Sequence, residues 1–173
     1  ILIVTDRVGN PDTNGSEVFC SALIDELRAR HEVRVVGRLS DSLAEAQVLE
    51  NGDLGVSAVM ANDSKLLMQF LREHLKPTDY DFIYNLGGLL FTCKVVNLLR
   101  VLSPSWPVVN HFQAILTEYA RLERQDLDAQ NTARDTQVSC VRGSALNIFA
   151  SLNEFRTATQ HRFPIDRRPA AIV

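Results

Sequence analysis

At 173 residues, with 46% hydrophobic and 23% charged side chains, the sequence has the size and composition of one globular domain and is too short for most two-domain enzymes. Eighteen Lys and Arg against 21 Asp and Glu leave a formal charge of −3, without the basic stripe of a dedicated nucleic-acid binder. No apolar run approaches the roughly 18 residues that would span a bilayer. Cys20, Cys93 and Cys140 are odd in number, widely spaced and without a CxxC, which indicates neither a disulfide framework nor a zinc site and makes a reducing cytoplasm the expected compartment.

Residues 1–5 form a short apolar run without alternation, the pattern of a strand buried on both faces, and lack the basic leader of a signal peptide. A polar loop over 6–14 contains Gly9 and Pro11. Val18, Ala22, Leu23 and Leu27 then fall at helical spacing within 16–30, and Asn14 with Glu17 three residues on resembles a capping box. Residues 32–36 are the next strand. The stretch 39–49 is ambiguous, with Ser42-Leu43-Ala44-Glu45 able to cap a short helix, and 56–60 is a candidate third strand. Leu66, Leu67, Phe70, Leu71 and Leu75 form the buried stripe of a helix that ends before Pro77.

The rhythm then repeats. Residues 81–84 are expected as a strand, Asn85-Leu86-Gly87-Gly88 as a turn and 89–102 as a helix broken by Ser103-Pro104-Ser105-Trp106-Pro107. Val108-Val109 is a buried strand ending at Asn110-His111. Ile115, Tyr119 and Leu122 mark another amphipathic stretch, whereas the polar, glycine-free segment 125–137 reads as a solvated helix end or a mobile loop. Residues 146–150 are a strand, Ser151-Leu152-Asn153-Glu154 a capping box into a helix reaching about His161, and a last strand begins near Ala171. Both ends are apolar, so the chain is expected to be a piece of a larger protein. Strand–helix alternation throughout predicts an α/β, Rossmann-like three-layer sandwich on a mostly parallel sheet.

Such a sheet takes its ligands at the carboxyl ends of its strands. The loop after the first strand lacks GxGxxG, and the second strand ends at Val36-Gly37-Arg38 with no acid for a ribose, which argues against a dehydrogenase. A P-loop and a GxSxG elbow are both missing. Gly15-Ser16 opening a helix offers free backbone N–H groups and the positive end of a helix dipole to an anion, although a glycine there also serves simply to shape a turn.

The run Gly9-Asn10-Pro11-Asp12-Thr13-Asn14-Gly15-Ser16-Glu17-Val18-Phe19, followed by Leu23-Ile24-Asp25-Glu26-Leu27 and His31-Glu32-Val33-Arg34-Val35-Val36, resembles the opening of retaining GT-B glycosyltransferases of family 4, or group 1. Asn14 replaces the first glycine of that family's Gly-Gly pair. Tyr80-Asp81-Phe82-Ile83-Tyr84 is similar to a further strand of the family, with Asn85 near where histidine is common, and Val108-Val109-Asn110-His111-Phe112 is similar to the strand that ends in its active-site histidine. Residues 145–151 and 170–173 resemble two later strands, so the likeness covers the whole chain as the N-terminal half of a GT-B fold.

The resemblance implies an acceptor-side domain whose partner, a C-terminal nucleotide-sugar-binding domain, lies outside these residues. It also implies a nucleotide-sugar donor, a carbohydrate, lipid or small-molecule acceptor, no metal or other cofactor, and a cytoplasmic hexosyltransferase. His111 is the expected catalytic contact, against the plain reading of a core or solvated histidine. Gly15, Ser16 and Glu17 are expected at the substrate, with Glu17 more simply a helix cap. Asn85, Gly87 and Gly88 line the cleft or form an ordinary turn. The Leu66/Phe70 stripe, flanked by Lys65, Arg72 and Lys76, reads as a core helix with snorkelling basic residues, the alternative being the peripheral membrane contact that some relatives make. The other readings are a standalone, non-catalytic α/β binding domain and half of a GT-B nucleotide-sugar epimerase.

Overall fold

A computed structural model of the chain describes residues 1–173 apart from 9–14, 41–43, 117–124 and 166–168, and leaves the side chains of 15–17 undescribed. The expectations for the 9–14 loop, for the Asn14 cap, for Ser42 and Leu43, and for Tyr119 and Leu122 therefore lie outside the described residues. Among the described residues eight strands form one sheet: β1 (Leu2–Val8), β2 (Arg34–Leu39), β3 (Gln47–Val48), β4 (Leu54–Val56), β5 (Ile83–Gly87), β6 (Val108–Phe112), β7 (Leu146–Phe149) and β8 (Ala170–Ile172). Their order is β3-β4-β2-β1-β5-β6-β7-β8. Every pairing is parallel except β3 with β4.

The apolar runs explain the layering. Leu2 and Val4, Val36, Ile83, Val108 and Phe112 face one side, where they pack against α3 (Ser64–His74), α4 (Leu90–Leu102) and α5 (Leu127–Arg142) in the larger core cluster. The alternate residues Ile3, Val35 and Leu86 meet Cys20 and Ile24 of α1 (Gly15–Arg28) on the other side. Two shorter helices are capped by serines. α2 (Ala58–Asn62) is capped by Ser57, and α6 (Leu152–Gln160) by Ser151, whose hydroxyl accepts from the backbone N–H of Asn153 and Glu154 as the capping box requires. A buried carboxylate, Asp53, ties β2 to α1: it accepts from the Val35 N–H (2.8 Å) and the Asn51 amide (2.8 Å) and pairs with Arg28.

Several expected boundaries move. The strand expected over 56–60 is β4 with its end at Val56, because Ser57 starts a helix and leaves Val59 73% exposed. In α1 the buried stripe runs through Cys20 and Ile24, so Val18 is outward-facing, 55% exposed. Asn85, Leu86 and Gly87 belong to β5 and not to a turn, and His111 lies inside β6. The polar segment 125–137 is the first part of α5, started by the Asp126 side chain accepting from the Ala129 N–H. Its apolar content is low because only one edge of the helix meets the core, through Ala133, Gln137 and Val138. Phe70 is core and only Leu66 of its pair is half-exposed, so that stripe faces inward.

Candidate functional site

β1 and β5 are neighbours whose connections leave in opposite directions, to β2 on one side and to β6 on the other. A crevice opens outside the carboxyl ends of strands where the winding reverses in this way. Three chain segments follow the carboxyl ends of these strands and their neighbour: the first turn of α1 with Gly15 and Ser16 after β1, the Gly87-Gly88 corner that leads from β5 into α4, and the end of β6. Gly87 and Gly88 have φ of +107° and +66°, left-handed values that allow the chain to double back from strand to helix.

His111 points to the α1 side of the sheet. Its Nδ1 lies 3.0 Å from the Tyr84 hydroxyl, and the edge of its ring meets the Phe19 ring at 5.7 Å between centroids. Phe19 is one helical turn beyond Gly15, so this contact joins the opening of α1 to the histidine. Burial holds the imidazole below its ordinary value and the ring is neutral near pH 7. Burial also pushes the Tyr84 phenol up, with Cys20 of α1 adding to the effect.

Asn85 does not line the crevice, contrary to expectation. It is fully buried on the α4 side in a ladder of three asparagines at one register level: its amide donates to Asn110 Oδ1 (2.9 Å), and the Asn110 amide donates to Asn147 Oδ1 (3.0 Å). Ser144 Oγ donates to the same Asn147 oxygen. A side chain two residues from the strand end, with its partners on two further strands, serves the sheet and not a ligand. Gly87 ends β5. Gly15 and Ser16 open α1, while the side chains of Ser16 and Glu17 lie outside the described residues.

The α4 side of the carboxyl edge carries a cleft of about 590 Å³, within the size range of small-molecule sites. Leu89, Leu90 and Phe91 at the start of α4 line it, with Arg38, Lys94 and Asp6 as its charged groups. The register of β1 slips between Val4 and Arg7, and Asp6, within that irregularity, accepts from Arg38 at 2.6 and 2.8 Å. The guanidinium also lies 5.6 Å from the centroid of the Phe91 ring, and its Nε is buried without a hydrogen-bond partner among the described residues. α4 has no side-chain cap and no acid in its first turn, so its free N–H groups add positive potential beside Arg38 and Lys94.

The loops that frame this edge are held from beneath by Gln137 of α5. This fully buried side chain donates to the Gly88 carbonyl (2.8 Å) and the Ala114 carbonyl (3.0 Å), and accepts from the Leu116 N–H (2.9 Å). Sequence reasoning passed over Gln137, Tyr84 and Arg38. Only Arg38 leaves a signal in the sequence, a charged residue closing an apolar strand at the ligand edge. Among the described residues no cluster of three His, Cys, Asp or Glu is placed to hold a metal ion. None of their helices is long and apolar enough to cross a membrane.

No protein-family model matches the sequence, and no curated protein sequence matches it. Among solved structures, the fold is similar to that of sucrose-phosphate synthase from Thermosynechococcus elongatus, a GT-B glycosyltransferase, with a TM-score of 0.66. The match covers 99% of this chain and 47% of that one, at 10% identity. The chain thus spans about half the length of that enzyme and has the α/β, Rossmann-like fold of one part of it.

Proposed function

We propose that the chain is the N-terminal, acceptor-side domain of a retaining glycosyltransferase, which moves a sugar from a nucleotide-sugar to an acceptor hydroxyl. The observation that supports this best is the likeness of the whole chain to about half of a sucrose-phosphate synthase. In this reading a second Rossmann-like domain, beyond these residues, makes most of the contacts to the donor. The present chain contributes the α1 turn at Gly15 and Ser16, whose backbone N–H groups suit the donor diphosphate. It also contributes His111, which faces the transferring sugar or its leaving group. The 590 Å³ cleft beside Arg38 and Lys94 receives the acceptor, with carbohydrate, lipid and small-molecule acceptors all compatible with its mixed lining.

The chemistry asked of these residues is positioning and charge stabilisation, with the leaving diphosphate assisting the incoming hydroxyl on the same face. No carboxylate nucleophile is assigned, and no resident metal or organic cofactor is part of the reading. In the protein that contains this domain, His111→Ala should lower kcat/KM at least about tenfold, equivalent to roughly 1.4 kcal/mol of lost transition-state stabilisation. Steady-state kinetics with the sugar nucleotide varied checks this, and unchanged kinetics would remove His111 from the reaction.

A further inference from the structure

Among the described residues, His111 makes one side-chain hydrogen bond. Its Nδ1 is 3.0 Å from Tyr84 Oη, and its Nε2 makes no hydrogen bond among the described residues. Tyr84 is placed for this by the sheet: it pairs with Val109 in register, Leu86 pairs with His111, and both rings project to the α1 side from adjacent strands. Phe19 covers the edge of the imidazole, and the His111 side chain is buried, 6% exposed.

A neutral imidazole carries one proton, and the partner of one nitrogen decides where that proton sits. A phenol is a good donor and a weak acceptor, whereas a bare imidazole nitrogen is a strong acceptor. We propose that Tyr84 is a positioning residue that donates its hydroxyl proton to His111 Nδ1, fixing the imidazole as the Nε2–H tautomer, so that His111 meets its ligand as a hydrogen-bond donor and not as a base. This rests on the reading of His111 as a substrate contact and sharpens it. An Nε2–H suits an oxygen that carries or gains negative charge, such as a diphosphate oxygen. It cannot take a proton from an acceptor hydroxyl. Burial favours the same arrangement by keeping the ring uncharged and the phenol protonated.

The test uses the 173-residue chain with ¹⁵N-labelled histidine, and needs no substrate. The sequence has four histidines, so His111→Gln identifies the signals of interest in long-range ¹H–¹⁵N spectra near neutral pH. The expected result is an Nδ1 resonance typical of a hydrogen-bonded, unprotonated nitrogen and an Nε2 resonance typical of a protonated one. In Tyr84→Phe the Nδ1 signal should lose its hydrogen-bond shift, and His111 should titrate roughly half to one pH unit higher, the equivalent of one ordinary hydrogen bond to the neutral ring. A protonated Nδ1 in the unmodified chain would overturn the proposal, as would a Tyr84→Phe chain whose His111 spectrum and titration are unchanged. If Tyr84→Phe does not fold, the tautomer in the unmodified chain still decides. Because this readout is independent of turnover, a failed tautomer leaves the glycosyltransferase reading to be judged on kinetics, and the converse also holds.

Discussion

Asn110→Ala should destabilise the chain by about 3–5 kcal/mol, which makes the asparagine ladder the most sensitive polar feature of the fold. Asn110 is the middle rung. Its loss removes the bonds to Asn85 and Asn147 and a longer one, 3.3 Å, to the Cys140 carbonyl. All three asparagines are fully buried, so water cannot replace the missing partner. The Asn85 amide N–H, one acceptor position on Asn147 and the Cys140 carbonyl would each lose a bond, the first two at about 1–3 kcal/mol each, and a small cavity adds to the cost. The ladder already ends in two unpartnered atoms, Asn85 Oδ1 and Asn147 Nδ2, and what would remain to its inner atoms is a long contact from the Asn85 amide to Cys93 Sγ (3.7 Å) and the Ser144 hydroxyl on Asn147 Oδ1 (3.0 Å). Typical domains have only about 5–15 kcal/mol of stability, so the variant should lie near the edge of folding. Urea unfolding with an unchanged m-value measures the loss, and a shift worth less than 1 kcal/mol would show that the ladder contributes little.

Gly88→Ala should cost about 2–4 kcal/mol for two separable reasons. At φ +66° an added Cβ is strained by roughly 1–2 kcal/mol. That Cβ would also run into the edge of the Phe112 ring, which is fully buried and stacked on Phe149 at 5.5 Å, and so has nowhere to move. Gly52, with φ +83° and nothing within 4 Å of an added Cβ, provides the control: Gly52→Ala should carry the conformational part alone. Thermal melts compare the two. Gly88→Ala should lower Tm by on the order of 10 °C and Gly52→Ala by a few degrees. Equal shifts would mean that the packing between Gly88 and Phe112 is immaterial.

Much of the architecture was legible because strand–helix alternation is written in apolar periodicity. Residues 1–5, the 66–75 stripe and the 89–102 helix all lie close to where their patterns put them. The misplacements have a common cause. Asn85 and Asn110 are polar residues inside buried strands, where polarity ordinarily marks a strand end; what permits them there is cross-strand pairing, which the linear sequence does not display. Segment 125–137 was obscured in the same way, since a helix touching the core along one edge keeps a polar composition. The site was legible only in part. His111 and the α1 opening could be ranked by their place after apolar runs, but the contact between Tyr84 and His111 joins residues 27 positions apart, and Gln137 reaches the Gly88 carbonyl from 49 positions away. Such pairs follow from sheet order, and periodicity does not encode sheet order.

The proposal that this domain is half of a sugar-transferring site is tested most directly by sugar-nucleotide turnover, measured as release of nucleoside diphosphate across a panel of sugar nucleotides and acceptors. The protein extended through its second domain should release nucleoside diphosphate in step with product, and the 173-residue chain alone should release none. Turnover by the isolated chain, or none by the extended protein with any donor on the panel, would contradict the account.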